Sequence, residues 1–255
     1  MWSEARHQKI RMLLQRHGRI TTEDAIQALG VSRETVRRDF LELEALGLLQ
    51  RVHGGAIHLS DEPPIDKRNS IHTGAKQAIA RAAAQRLRTP VTVFMDAGST
   101  TTLLARELAQ LSGLTLITNS LSAAGCFSAV PDNPDNQVIL LTGVLNPALA
   151  STSGASTVLQ IQTFHADIAL LSPVAVNARQ GATSFLHDEA LIARAMSERA
   201  DQTWILADHS KIGAASRETY CPAERIDSLF SNRQAQQAEG LAALQATVGE
   251  IILAA

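Results

Sequence analysis

The chain has 255 residues, of which 45% are hydrophobic and 19% are charged, and its formal net charge at pH 7 is −2. A chain of this length forms one large or two ordinary domains, and the composition excludes disordered, fibrous and strongly charged proteins. The longest nearly apolar stretch, 167–176, spans only about ten residues and cannot cross a membrane, and residues 1–6 lack a signal-peptide core. We therefore expect a cytoplasmic protein with no membrane partner.

The cysteines and the distribution of charge narrow the class of protein further. Cys126 and Cys221 show no CxxC or Cys/His spacing, so we predict neither a disulfide framework nor a zinc site, and we expect no metal or cofactor. Residues 1–58 hold nine Lys and Arg against seven Asp and Glu, which leaves the rest of the chain with a net charge of −4. A basic end on an acidic chain favours nucleic-acid contact by that end.

The amino-terminal segment is predicted to contain three short helices followed by a hairpin. The helices cover 3–17, 22–29 and 33–46, and Ser32 caps the third of them. Residues 48–57 read as two short apolar strands around a Gly-Gly turn. Helix-turn-helix plus hairpin is the arrangement of a winged helix-turn-helix domain.

The third predicted helix separates an apolar face from polar side chains. Val36, Phe40 and Leu43 recur at steps of four and three residues, which is the spacing of a buried face. In winged domains this helix enters the major groove with its first side chains at base edges. The other interpretation is a small helical cap whose arginines form a solvated surface. The polar side chains that favour DNA contact are Arg33, Thr35, Arg37 and Arg38 on the helix, with Arg51 and His53 on the wing.

Residues 31–56 carry a specific motif that reads VSRETVRRDF, then LE and GLL, then RVHGGA. This motif resembles the DeoR-type family of bacterial transcriptional regulators, whose pattern is V-S-x-x-T-I/V-R-R-D-L followed by an H-G-G-A wing, with Phe40 here in place of leucine. The resemblance implies that Ser32, Thr35, Arg37 and Arg38 contact DNA together with Arg51 and His53. Arg33, beside them, completes the predicted DNA-binding set.

We predict a DNA-binding domain over 1–58, a linker with a Pro-Pro break over 59–75, and a second domain over 76–255. In the second domain, short runs of Val, Ile and Leu alternate with helical patterns, which favours an α/β domain with a mostly parallel sheet. Ligands of such sheets bind at the carboxyl ends of the strands. The predicted strands are 91–95, 114–118, 137–141, 166–171, 203–207, 226–230 and 249–253. The predicted helices are 76–88, 100–110, 120–129, 154–162, 186–200 and 234–246.

A glycine loop with several hydroxyls follows the first of these strands. Its residues Asp96, Gly98, Ser99, Thr100 and Thr101 lead directly into a predicted helix. The glycine lets the backbone turn its N–H groups inward, the hydroxyls donate, and the helix amino terminus supplies partial positive charge, so the loop can cradle an anion. An ordinary capped turn uses the same residue types, and this alternative stays open.

Polar residues follow other strands of the predicted sheet in the same way. A lysine in a glycine-ended loop can complete a phosphate or carbonyl site, although a plain surface lysine is an equal interpretation. The remaining positions can be explained by helix capping alone. These residues are Asn119, Ser120, Gly143 and Lys211.

The second domain extends the family resemblance. The family's D-x-G-[ST]-T-[TS] loop is matched at 96–101, its T-N-S at 118–120 and its L-x-D-x-[ST]-K-[FIY]-G at 206–213. The resemblance implies a sugar-phosphate sensor domain that is similar in fold to ribose-5-phosphate isomerase, glucosamine-6-phosphate deaminase and CoA transferases.

The chain departs from the family pattern near the expected pocket. Residues 142–144 have one glycine where two are common, Ser172-Pro173 follows a strand where glycine is usual, and Arg194 stands where lysine is frequent. The stretch 181–189 resembles the family's variable specificity loop, in which His187 and Glu189 meet sugar hydroxyls. For His187, an exposed position at a helix amino terminus is the other interpretation.

The combined prediction is a sequence-specific DNA-binding repressor of a carbohydrate-use operon that a phosphorylated sugar releases from DNA. The family implies a homo-oligomer, a dimer or a tetramer.

Two alternatives to this function remain. The second domain can retain isomerase or deaminase chemistry, with Asp96 or Glu189 as general base and Lys211 as electrostatic stabiliser. The protein can also structure DNA with little sequence preference, although a net charge of +2 on the first domain makes that less favourable.

Overall fold

The computed structural model describes residues 2–17, 19–45, 48–52, 54–57, 65–130, 133 and 135–255. These residues form two compact units, one within residues 1–63 and one within residues 64–255. The predicted wing residue His53 lies outside the described residues. Within the described ranges, no helix is long and apolar enough to cross a membrane.

The first unit contains the three predicted helices and one strand more than predicted. Its elements in chain order are α1 (Ser3–His17), β1 (Arg19–Thr21), α2 (Thr22–Leu29), α3 (Arg33–Ala45), β2 (Gln50–Val52) and β3 (Gly55–Ile57). The wing is a three-stranded antiparallel sheet in the order β1-β3-β2. We did not predict β1, because a three-residue strand before a helix has no periodicity of its own.

The core of the first unit explains how α3 is oriented. Val36, Phe40 and Leu43 are buried together with Ile10 and Leu14 of α1, as the four-and-three spacing predicted. Burying this face leaves the opposite side of α3 exposed to solvent.

The second unit is built on a seven-stranded parallel sheet, in the order β15-β14-β12-β9-β4-β5-β6. From β4 the chain proceeds to β5 and β6 on one side, and then returns to β9 on the other side. The carboxyl ends of β4 and β9 therefore meet at the point where the direction of strand addition reverses, which is where α/β sheets bind ligands. The strands are β4 (Val91–Met95), β5 (Leu114–Thr118), β6 (Gln137–Leu140), β9 (Ala166–Leu171), β12 (Ala200–Leu206), β14 (Ser228–Asn232) and β15 (Glu250–Ala254).

Helices cover both faces of this sheet. Alternate residues of β4 point to different cores, since Phe94 belongs to one buried cluster and Val93 and Met95 to the other. One face is covered by α5 (Thr73–Arg86), α6 (Ser99–Leu108) and α7 (Leu121–Ser128), and the other by α8 (Ala155–Ile161) and α9 (His187–Glu198). The prediction of an α/β domain with a parallel sheet is confirmed.

Residues 65–75, where we predicted a linker, are mostly helical. They form α4 (Ile65–Ser70) and the first turn of α5. The Nζ atom of Lys76 is 2.6 Å from the carbonyl oxygen of Arg68, and both residues are buried. This contact attaches α4 to α5 and makes it part of the second unit.

The second unit also contains short elements that we did not predict. A hairpin of β7 (Val144–Asn146) and β8 (Ser151–Ser153) follows β6, and a separate antiparallel sheet joins β10 (Ala175–Asn177), β11 (Gly181–Ser184) and β13 (Glu218–Cys221). The stretch 181–189 is therefore not only a loop. The predicted helix 234–246 is divided into a 3-10 turn, Arg233–Gln237, and α10 (Leu241–Gln245), because Gly240 between them adopts a φ of 97°.

Candidate functional site

Two side-chain caps position α2 and α3 of the first unit. The Thr21 hydroxyl accepts a hydrogen bond from the backbone N–H of Asp24 at 3.0 Å, and the Asp24 carboxylate accepts one from the N–H of Thr21 at 3.3 Å. The Ser32 hydroxyl accepts from the N–H of Thr35 at 3.3 Å and lies 2.9 Å from the Thr35 hydroxyl. These caps start α3 at Arg33, and the side chains of Arg33, Arg37 and Arg38 in its first two turns are exposed.

Three of the four predicted arginines are paired with glutamates. Arg33 pairs with Glu23, Arg38 lies 3.4 Å from Glu42, and Arg51 Nε lies 2.7 Å from Glu44. The carboxylate of Glu44 also accepts the backbone N–H of Arg51 at 2.9 Å. These two hydrogen bonds, the backbone one first, lower the pKa of Glu44 from its ordinary value.

Arg37 differs from these three arginines. Its side chain is exposed, and it has no ion-pair partner among the residues that the structure describes. It lines a cleft of about 620 Å³ between α3 and the wing. The cleft residues are Thr22, Arg33, Arg37, Phe40, Arg51, Gly54 and Gly55. Three guanidinium groups on one concave surface suit the phosphates and base edges of nucleic acid.

In the second unit, Asp96 lies directly after β4 and accepts a hydrogen bond across the switch point. Its Oδ2 atom is 2.9 Å from the backbone N of Ser172, which follows β9. Burial raises the pKa of Asp96 from 3.8 to about 7; nearby Glu189 raises it further, whereas hydrogen bonds from Ser172 and Thr101 and the charge of Lys211 lower it. The structure therefore brings Asp96, Glu189 and Lys211 together.

The hydroxyls of the loop after β4 fall into two groups. Thr101 is within hydrogen-bond distance of the carbonyls of Asp96 and Gly98, at 3.1 and 3.2 Å, and Thr102 donates to Gly98 at 2.7 Å, so these two hydroxyls close the loop. Thr100 Oγ1 and Asp96 Oδ1 are buried without a hydrogen-bond partner among the described atoms. Buried polar atoms are normally paired, so these two atoms are available to a ligand.

Lys76 is a residue of this site that we did not predict. Its side chain is 4% exposed, and its Nζ atom lies 3.0 Å from the Ser99 hydroxyl at the start of α6. A signal was present in the sequence, because Lys76, Ile79 and Ala83 share the buried stripe of an amphipathic helix. A lysine on such a stripe needs polar partners, and here they include the Arg68 carbonyl and the Ser99 hydroxyl.

The next strand brings Asn119 to the same edge of the sheet. Its Nδ2 atom donates to the carbonyl of Thr152 at 2.9 Å, and its Oδ1 atom is buried without a partner in the described part of the chain. Ser120 caps α7, since its hydroxyl accepts the N–H of Ala123 at 3.1 Å.

The remaining residues of the predicted effector site each contact a defined neighbour. Lys211 donates from Nζ to the carbonyl of Pro173, and Glu189 accepts from the Ser184 hydroxyl at 3.2 Å. His187 is an exposed residue whose ring lies 2.8 Å from Glu218. A Cβ at Gly143 would lie 2.2 Å from Thr157 Oγ1, so a glycine is needed there for close packing.

The departures from the family pattern at 172–173 and at 194 also have defined contacts. Ser172 supplies its backbone N–H to Asp96, and Pro173 supplies its carbonyl to Lys211. Arg194 donates to the carbonyl of Thr219 at 2.5 Å. The Ser172-Pro173 departure therefore lies directly at the switch point.

The chain matches two family models. The model described as DeoR-like helix-turn-helix domain matches residues 6–62, and the model described as DeoR C terminal sensor domain matches residues 71–233. Among solved structures, D-ribose-5-phosphate isomerase in complex with phospho-erythronic acid is 15% identical, with a TM-score of 0.39 over 53% of this chain and 52% of that one.

Curated relatives match over nearly their whole length. The HTH-type transcriptional regulator GolR of Listeria innocua is 32% identical, over 93% of this chain and 94% of that protein. The HTH-type transcriptional repressor GlcR of Bacillus subtilis is 32% identical, over 93% and 92%. The glycerol-3-phosphate regulon repressor of Escherichia coli is 28% identical, over 89% and 90%. The chain therefore belongs to the DeoR family of transcriptional regulators, with an amino-terminal helix-turn-helix domain and a carboxy-terminal sensor domain.

Proposed function

We propose that this regulator represses a carbohydrate-use operon. A phosphorylated sugar that binds to the second unit would lower the affinity of the protein for operator DNA. The observation that carries the proposal is the set of buried polar atoms without a described partner at the carboxyl ends of β4 and β5: Asp96 Oδ1, Thr100 Oγ1 and Asn119 Oδ1. Relatives named as repressors, one of them for a glycerol-3-phosphate regulon, support this reading.

The phosphate group would bind at the amino terminus of α6. Helix amino termini carry partial positive charge and free N–H groups, and Ser99, Thr100 and the buried ammonium of Lys76 surround this one. A charge-assisted hydrogen bond from lysine strengthens the binding of an anion.

The sugar hydroxyls would bind on the acidic side of the same site. Asp96, Glu189 and Asn119 offer oxygen acceptors, and hydroxyls are the donors that match them. A second anionic group at this position would be repelled by the carboxylates, whereas a neutral polyol would not. A ligand with one phosphate and several hydroxyls fits both sides.

The operator would bind to the first unit. Arg37, with Arg33 and Arg51, faces the cleft between α3 and the wing, and Arg38 is exposed beside them. Ser32 and Thr35 supply hydroxyls at the start of α3, and His53 joins the set on the family motif alone. Two copies of the chain would read two half-sites about one helical turn apart.

A thermal-shift panel of phosphorylated sugars, each beside its unphosphorylated partner, tests the ligand site. A ligand at 100 times its Kd adds about 2.7 kcal/mol of stability. We expect one phosphorylated sugar to stabilise the protein, and Ser99→Ala/Thr100→Ala to abolish the shift. Thr163→Ala is the matched control, because this exposed hydroxyl lies before β9, near the amino-terminal ends of the strands, and donates to the carbonyl of Gln160 at 2.7 Å.

The active sugar is then added to the protein bound to the DNA upstream of its own coding region. Loss of the complex with the wild-type protein, but not with the Ser99→Ala/Thr100→Ala variant, is the expected result. A panel without any stabilising compound, or a stabilising sugar that leaves the DNA complex intact, contradicts the proposed regulation.

The second unit binds its ligand in this proposal without converting it. The relatives reported above are named as a transcriptional regulator and as repressors, which supports this. Incubation with ribose-5-phosphate or glucosamine-6-phosphate, followed by NMR of the sugar, should return the unchanged compound. Turnover that disappears in the Asp96→Asn variant would instead establish retained isomerase or deaminase chemistry.

A further inference from the structure

The side chain of Ser172 lies at the switch point without a role in the contacts described so far. Ser172 follows β9, and its backbone N–H binds the Asp96 carboxylate. The side chain is half-buried, and its hydroxyl forms no hydrogen bond with any residue in the described part of the chain. A serine hydroxyl offers one donor and two acceptor lone pairs, so this group is open to a ligand.

The Ser172 side chain lies beside the glycine of the loop after β4. A Cβ at Gly98 would lie 3.4 Å from Ser172 Cβ and 3.7 Å from Ser172 Oγ, which is ordinary van der Waals contact. Gly98 is the residue immediately before α6, where the phosphate of the proposed effector would bind. Ser172 is therefore placed between the phosphate side of the site and the acceptors of Asp96.

The backbone around Ser172 is held on both sides. Its N–H donates to Asp96 Oδ2 at 2.9 Å, and the carbonyl of the buried Pro173 accepts from Lys211 Nζ. The proline also restricts the residue before it to an extended conformation. A glycine at position 172, as in the family pattern, would have neither the Cβ nor the hydroxyl, so this chain places a fixed side chain where the family leaves space.

We propose that Ser172 makes this regulator selective for phosphate esters of primary alcohols; the inference rests on the proposed phosphate site at the start of α6. The Ser172 hydroxyl donates to a phosphate oxygen, and hydrogen bonds to an anion are strong ones. The Cβ fills the space beside Gly98, so that a CH2 group next to the phosphate fits. A branched or ring carbon carrying the phosphate would meet the Ser172 side chain, and such a clash is how a site rejects a close analogue.

Two isomers of glycerol phosphate test the selectivity with equal mass and charge. Glycerol-3-phosphate carries its phosphate on a terminal carbon and glycerol-2-phosphate on the central carbon, and inorganic phosphate is the probe without any carbon. Isothermal titration calorimetry of the full-length protein measures all three. We expect the wild-type protein to bind the terminal isomer at least about tenfold more tightly than the central one, the effect of one misplaced carbon in a packed site.

Two variants separate the bulk of the side chain from its hydroxyl. Ser172→Gly removes both and should bind the two isomers equally. Ser172→Ala keeps the Cβ, so it should keep the preference for the terminal isomer while binding all three probes about tenfold more weakly, the value of a hydrogen bond to a charged group. Ser128→Ala is the matched control, because this exposed serine of α7 lies 3.4 Å from the Ala124 carbonyl, and it should bind like the wild-type protein.

The outcomes distinguish this inference from the proposed function. Equal binding of the two isomers by the wild-type protein, or an unchanged preference in a Ser172→Gly variant that melts like wild type, overturns the selectivity. Undiminished binding of inorganic phosphate by Ser172→Ala overturns the hydrogen bond. If inorganic phosphate does not bind, or binds Ser99→Ala/Thr100→Ala as well as wild type, the phosphate site itself is wrong and the role of Ser172 fails with it.

Discussion

Arg37 and Arg38 are neighbours on α3, but their surroundings differ at the scale of single residues. Arg38 lies 3.4 Å from Glu42, whereas Arg37 faces the cleft without an ion-pair partner among the described residues. We expect Arg37→Ala to weaken specific DNA binding by about 1–3 kcal/mol, the value of one well-made base contact. Arg38→Ala should weaken the binding of all DNA sequences by a similar factor. It should also lower the slope of log affinity against log salt concentration by about the value of one phosphate contact.

Fluorescence anisotropy with operator and scrambled DNA over a range of salt concentrations measures both effects. Arg88→Ala, an exposed arginine of the second unit, is the control and should bind like the wild-type protein. Unchanged operator affinity of the Arg37→Ala variant would show that this side chain does not read DNA.

The raised pKa of Asp96 predicts that the stability of the folded protein depends on pH. Its pKa is raised from 3.8 to about 7, mainly by burial, so the folded protein holds this proton more tightly than the unfolded chain does. Between these two pH values the folded state binds more protons, and its stability falls as pH rises. The contribution is fully present below pH 3.8 and is lost once pH exceeds about 7.

Asp96→Asn keeps an oxygen acceptor for the Ser172 N–H but cannot ionise. Urea unfolding should therefore show that the variant gains stability relative to wild type at pH 8, and that the gain shrinks towards pH 5. A difference that is the same at both pH values would contradict a raised pKa for this carboxyl.

At the scale of elements, we expect alanine substitutions at two glycines to change stability in opposite directions. A Cβ at Gly55 would lie 2.2 Å from the carbonyl oxygen of Ile20, where β3 runs beside β1, whereas a Cβ at Gly74 in α5 meets nothing within 4 Å. Gly55→Ala should destabilise the first unit by about 1–3 kcal/mol through overpacking. Gly74→Ala should stabilise the second unit by roughly 0.5–1 kcal/mol, because alanine favours a helix.

Calorimetric unfolding of both variants checks this pair. The expected result is a lower transition temperature for the first unit in one variant and a higher one for the second unit in the other. If Gly55→Ala left the first unit as stable as before, the close approach of β1 and β3 would be excluded.

At the scale of the whole molecule, the proposed regulation requires coupling between the two units. If the sugar weakens operator binding by a factor of roughly 5 to 150, the operator must weaken sugar binding by the same factor. Calorimetric titration of the sugar into free and operator-bound protein measures this directly, with scrambled DNA as control. Equal sugar affinities with and without operator would mean that the units act independently.

Much of the fold and part of the site could be predicted from local patterns. The strands β4 and β5 were predicted at 91–95 and 114–118, the bounds that the structure shows, since buried strands are continuous apolar runs. The start of α2 at Thr22, the cap at Ser32 and the glycine loop after β4 were recognised in the same way. These features depend on residues a few positions apart, which is why the sequence indicated them.

The sequence by itself determined the two-domain family pattern, the buried face of α3 and the position of the glycine loop between β4 and α6. Only the tertiary structure decided which distant residues meet around the loop after β4: Ser172 contacts Asp96, 76 residues away in the chain, and Lys76 contacts Ser99, 23 residues away. It also decided the pairing of β11 with β13 and the order of the strands in the seven-stranded sheet. Such contacts arise when strands far apart in the chain become neighbours in a sheet, and no local periodicity encodes them.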